Sequence, residues 1–203
     1  MELTSEFPGP NADHYANVLA LNTAFIRAVL DMRGPQRGRL AATPFLLFSL
    51  RECDLDWWDS ALDESPQGDL MAAAELDDPE LRRIQIAALS FLWHLARRNP
   101  YATRIISGAS VWWCEKIVDL PLVTLLDRIG TRADLMQSRL DDPIKLGARL
   151  LSDGTSSRTR VRRSTQLVAL QTLLTHATFE DYSSLPAAAC QMKRPMRVQD
   201  KKT

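Results

Sequence analysis

Apolar residues recur at helical spacing along most of this chain. Between residues 13 and 32, Val18, Leu21, Phe25 and Val29 fall three or four apart, and Gly34-Pro35 closes the segment. The clearest stripe begins at Asp78-Pro79-Glu80. Asp is a good N-cap, Pro fits the first turn, and Glu suits the positive end of the helix dipole. Leu81, Ile84, Ala88, Phe91, Leu92 and Leu95 follow as one continuous face, and Arg97 and Arg98 sit at the carbonyl end. Phe91 is expected in the core of this central helix.

Punctuation residues divide the rest. Asn99-Pro100 opens a helix that ends at Ser107-Gly108, Ser110 caps VWWCEKIVDL, and Pro121 opens LVTLLDRI before Gly130. Thr131 with Asp134 reads as a capping pair for a helix over DLMQSRL. Asp142-Pro143 opens another that Gly154 ends, and a long helix runs from about Ser156 to His176. After Gly34-Pro35 comes a Gly/Arg linker, then Thr43-Pro44 starts a short apolar helix over FLLFSLRE. CDLDWWDSAL makes a brief helix, and residues 64–78 form an acidic loop. No strand-like alternation is present. The expected fold is therefore all-α: a multi-helix bundle in a single domain, with at least six helices and no sheet. Its helical domain spans residues 13–177, between a flexible lead-in at 1–12 and a polar, basic, partly disordered tail at 178–203.

At 203 residues, with 45% hydrophobic and 25% charged residues, the chain suits one globular core. It has neither an apolar run long enough to span a membrane nor a signal-peptide pattern, so a cytoplasmic location is expected. Cys53, Cys114 and Cys190 are scattered, as reduced thiols are, and neither a disulfide framework nor a metal site is expected. The net charge of zero conceals an asymmetry. Residues 1–80 hold 15 acids and 5 bases, a balance of −10, whereas residues 81–203 hold 10 acids and 20 bases, a balance of +10. Either the two halves neutralise one another, or the basic part seeks an acidic partner.

Catalytic motifs are missing. His14, His94 and His176 lie in separate segments without ligand spacing, and no nucleophile elbow, phosphate loop or dinucleotide fingerprint occurs. Asp54, Asp56 and Asp59 surround Trp57-Trp58. They read as a solvated rim around a buried aromatic, or as a site for a cation or basic partner. A non-enzymatic protein without cofactor is expected.

Two features suggest partners. In Trp57-Trp58 and Trp112-Trp113, adjacent helical side chains diverge by about 100°, so one member of each pair faces away from any shared core pocket. All four are candidate partner-binding residues, with a monomer core as the alternative. SSRTRVRRSTQ places Arg158, Arg160, Arg162 and Arg163 at the start of the last helix, where the dipole disfavours cations. They are candidate nucleic-acid-binding residues, with Ser156, Ser157, Ser164 and Thr165 as neutral donors to phosphate. The alternative is pairing with the acidic half.

LSFLWHLARR at residues 89–98 and SGASVWWCEKIVDLPLVTLLDRIGTRADLMQSRLDD at residues 107–142 combine an aromatic-bearing helix, a Gly-containing turn, leucines spaced around Pro121 and an Arg139-Leu140 end. This stretch resembles the D-subunit family of the flagellar master transcription activator. The resemblance implies an all-helical dimer that joins a zinc-bearing subunit on promoter DNA and recruits RNA polymerase, with helices around residues 81–140 forming the dimer. The N-terminal segment and the basic last helix have no counterpart in that family, and no functional residue is carried over. The expected function is a transcription-regulatory protein, acting through protein–protein contacts and self-association around Ser110 to Leu140, with DNA backbone contacts in addition. The alternative is a helical adaptor or scaffold that binds another protein without nucleic acid.

Overall fold

The computed structural model describes residues 9–32, 34–63, 76–141 and 146–183. The described residues form nine helices: α1 (Ala12–Val29), α2 (Pro35–Ala41), α3 (Leu55–Asp63), α4 (Pro79–Arg98), α5 (Pro100–Ser107), α6 (Val111–Val118), α7 (Leu122–Ile129), α8 (Leu146–Ser152) and α9 (Thr159–Ser183). The fold is all-α apart from two two-residue strands, β1 (Phe48–Ser49) and β2 (Gln137–Ser138), paired antiparallel with Phe48 opposite Ser138. Among the described residues no helix is long and apolar enough to cross a membrane.

Local chemistry sets the helix starts. Asp78 accepts from the Glu80 and Leu81 N–H groups at 2.8 and 3.2 Å, Asn99 from Ala102 at 2.9 Å, and Ser110 from Trp113 at 3.0 Å. Asn11 and His14 cap α1 reciprocally: the Asn11 side chain accepts from the His14 N–H at 2.9 Å, and the His14 ring accepts from the Asn11 N–H at 3.2 Å. Gly108 ends α5 at φ 71°, a left-handed conformation that glycine adopts without a Cβ clash.

Helix α4 is the central element, packed against α1, α5, α6 and α7. It buries Ile84, Ala88, Leu89, Leu92 and Leu95. Phe91, expected in the core, is only half-buried and packs against its edge. The stripe turns slightly, and Leu89 and Leu92 take the fully buried places.

Several expected elements differ. FLLFSLRE is not helical. Phe45, Leu46, Leu47, Phe48 and Leu50 are all fully buried, more sides than one helix face can bury. Distant groups satisfy the backbone instead. Asn22 Nδ2 donates to the carbonyls of Ala41, Thr43 and Phe45 at 3.3, 3.4 and 2.9 Å, and Asn22 Oδ1 accepts from the Leu47 N–H at 2.9 Å. The Leu46 N–H donates to the Ile106 carbonyl, and the Arg139 N–H to the Leu47 carbonyl. DLMQSRL is not helical either, because Gln137 and Ser138 at its middle pair with β1 and the Asp134 carboxylate is engaged by Trp57 and Arg132. The Gly/Arg linker contains α2, with Pro35 in its first turn. Helix α9 continues to Ser183, past the expected boundary at 178. Residues 1–8, most of the acidic loop (64–75), Asp142-Pro143 and the tail from 184, with Cys190, lie outside the described residues.

Candidate functional site

The four arginines gather where the sequence places them, at the start of α9. Arg158, Arg160 and Arg163 are exposed and make no ion pair among the described residues. Arg162 is half-buried and donates through Nη1 to the Ser156 carbonyl at 2.9 Å, which fixes the turn before the helix. The Arg158 N–H donates to Ser156 Oγ at 3.2 Å. Of the expected neutral donors, Ser157 and Ser164 are exposed. Ser156 is engaged, and Thr165 is buried at 7% exposure, where it anchors α9 beside Ala169. A surface groove of about 500 Å³ is lined by Thr159, Arg160, Arg163, Ser164 and Leu167. It joins two arginines to two hydroxyl residues, a set suited to a phosphate oxygen.

The tryptophan pairs divide as helical geometry requires. Trp58 and Trp113 are fully buried, stacked edge to face with centroids 5.6 Å apart. As core residues of the monomer they are removed from any partner surface, because an indole at zero exposure has no area to offer. Trp57 is half-exposed but heavily engaged. Its Nε1 donates to Asp134 at 2.7 Å, and Arg51 and Arg132 lie over its ring at 5.5 and 5.1 Å. Burial raises the Asp134 pKa, but the hydrogen bonds from Arg132 and Trp57 outweigh it and hold the carboxyl below its ordinary value. Trp112 is the freest of the four, half-exposed under Lys116 at 4.9 Å, with Val111 exposed beside it in the chain.

The acidic rim is largely occupied. Asp54 pairs with Arg51 at 2.7 Å and accepts from the Trp57 N–H at 3.1 Å, Asp59 pairs with Lys116, and Asp56 is exposed. Among the described residues no group of three or more His, Cys, Asp and Glu is disposed to hold a metal ion. His94 is exposed, edge-on to Trp93. Cys114 is buried, while Cys53 is half-exposed and donates to the Gly108 carbonyl at 3.4 Å.

Sequence reasoning missed a buried ion pair. Glu52 is 2% exposed, and its Oε2 lies 3.5 Å from Arg139 Nη2. Desolvation raises the Glu52 pKa against the lowering field of Arg139, and burial lowers that of Arg139. Arg139 also donates to the carbonyls of Leu46, at 2.8 Å, and Ser107. It thereby ties the extended segment 45–48 to the end of α5. With the partners 87 positions apart in the chain, no local spacing could have signalled the pair.

Comparison with protein-family models, with curated proteins and with solved structures gives no significant match.

Proposed function

We propose that the protein is a non-enzymatic regulatory protein that binds nucleic-acid phosphate through the start of α9. The observation that carries this reading is the exposure of Arg158, Arg160 and Arg163 without an ion pair among the described residues. Unpaired cations at a helix N-terminus oppose the dipole by roughly 0.3–1 kcal/mol each, a cost that phosphate contacts reverse. The alternative, neutralisation by acids of the first 80 residues, is met by Lys116–Asp59 and Arg139–Glu52, but no ion pair among the described residues reaches Arg158, Arg160, Arg162 or Arg163. Transcription regulation is the class to which the resemblance at residues 89–98 and 107–142 points.

A duplex-binding titration at about 50 mM salt tests the reading, and changing Arg160 and Arg163 to Ala should flatten the logarithmic salt dependence by about 1.8. Binding should weaken alike on all sequences. No complex at micromolar protein would overturn it. A second reading, an adaptor for another protein, is favoured by Trp112 beside exposed Val111. It predicts that Trp112→Ala abolishes capture of the partner and leaves the salt dependence unchanged.

A further inference from the structure

Helix α1 carries no Asp, Glu, Lys or Arg between Asp13 and Arg27, although its outer side is exposed. A surface helix ordinarily lines that side with charged residues. Here Ala12, Ala16 and Ala20 are exposed, Tyr15 and Leu19 are 38% and 44% exposed, and all five lie outside the hydrophobic core. The polar side chains beside them are turned back onto their own helix. Asn17 Nδ2 donates to the Asp13 carbonyl at 2.9 Å, and Thr23 Oγ1 to the Leu19 carbonyl at 2.7 Å, which lowers the desolvation cost of covering them. Charges bracket this face symmetrically. Asp13 and Arg27 each stand seven positions from Ala20, within about 20° of its direction around the helix. Both are exposed, and neither makes an ion pair among the described residues.

We infer that this face of α1 pairs with the same face of a second copy, the two helices running antiparallel about a twofold axis at Ala20. Charge selects both the partner and the direction. Asp13, Ala16, Ala20, Thr23 and Arg27 follow one another at alternating steps of three and four, the spacing of a helix–helix seam. In the antiparallel pair Ala20 meets its own copy, so the backbones approach closely, and Asp13 of each copy falls opposite Arg27 of the other. The two Leu19 side chains meet beside the axis and cover the alanines from one side. A parallel pair would set Asp13 against Asp13 and Arg27 against Arg27, with the helix dipoles aligned. The face is one helix long, about 27 Å, and smaller than a standard interface, so the dimer falls in the micromolar range. No residue of α9 takes part. The dimer leaves Arg158, Arg160 and Arg163 free, and its test stands apart from the phosphate reading.

Sedimentation of the full chain without DNA, from about 1 to 200 μM, should show a reversible dimer. Leu19→Glu should raise its Kd at least about tenfold with the circular dichroism spectrum unchanged, because so exposed a leucine adds little to the monomer. Asp13→Arg and Arg27→Asp should each weaken the dimer roughly three- to tenfold, since each replaces two ion pairs with two repulsions. Mixing these two variants should restore it as a heterodimer, in which Arg at 13 faces Asp at 27 and Asp13 faces Arg27. Neither a loss of monomer stability nor the dipole of a single helix gives that rescue. A dimer indifferent to these changes, such as one through the region from Ser110 to Leu140, overturns the inference. So does a monomer at every concentration. A monomer whose melting temperature falls with Leu19→Glu also overturns it, and assigns the face to another segment of the same chain.

Discussion

The indole of Trp58 meets that of Trp113 edge to face, with centroids 5.6 Å apart and planes at 79°. This contact joins α3 to α6 inside the core, and the two rings differ in one respect. Trp58 Nε1 donates to the carbonyls of Leu50 and Arg51 at 3.2 and 2.9 Å, whereas Trp113 Nε1 is buried without an acceptor. A buried unsatisfied donor offsets part of what the ring's apolar area contributes.

The two positions should therefore respond unequally to the same change. Trp58→Phe leaves a cavity and removes the partner of two carbonyls, while Trp113→Phe leaves a similar cavity but removes an unsatisfied N–H. The first should destabilise more than the second by about 1–2 kcal/mol in urea unfolding. Equal losses, or the reverse order, would refute this account of the pair.

Asn22 is expected to be among the least replaceable residues of α1. Its side chain makes four hydrogen bonds to the segment between Ala41 and Leu47. Leu has a similar volume but none of the donors, so Asn22→Leu strands buried backbone groups and should cost about 3–5 kcal/mol. Exposed Asn17, whose side chain donates to the Asp13 carbonyl in its own helix, is the control. Asn17→Ala should change stability by less than about 0.5 kcal/mol. A small loss at Asn22 would show that the extended segment holds without it.

The pair Glu52–Arg139 predicts a pH dependence whose sign follows from burial. Desolvation raises the folded-state pKa of Glu52 above its ordinary 4.5. The folded chain therefore holds this proton more tightly than the unfolded chain does. Stability from this group is fully present below 4.5 and is lost as the pH rises through the raised value. Glu52→Gln should flatten that fall in a series of melting curves at increasing pH, whatever its effect on absolute stability. Arg139→Leu strands the carboxylate and two backbone carbonyls, and should cost about 3–5 kcal/mol at neutral pH. An unchanged slope in the Gln variant would mean that Glu52 does not titrate in this range.

Exchanging side chains on α4 tests where its buried face lies. Leu92 is fully buried and Phe91 only half. Leu92→Ala should cost about 2–5 kcal/mol, and Phe91→Ala less, although it removes the larger side chain. The opposite order in thermal unfolding would restore the face read from the sequence.

The sequence by itself determined the helices whose signals are local. Asp78-Pro79, Asn99-Pro100 and Ser110 act on backbone groups within three residues, so α4, α5 and α6 start where the caps put them. It also determined that each tryptophan pair must split, since neighbouring side chains on a helix diverge whatever surrounds them. Only tertiary structure decided that FLLFSLRE runs extended, because the groups satisfying its backbone come from Asn22, Ile106 and Arg139, far along the chain. The same holds for α9. Its sequence gives a helix with arginines at one end, but which face is buried depends on where Thr165 and Ala169 find a surface to pack against. A run of apolar residues states only that it must be buried. The shape it takes is set by the partners that can reach its backbone.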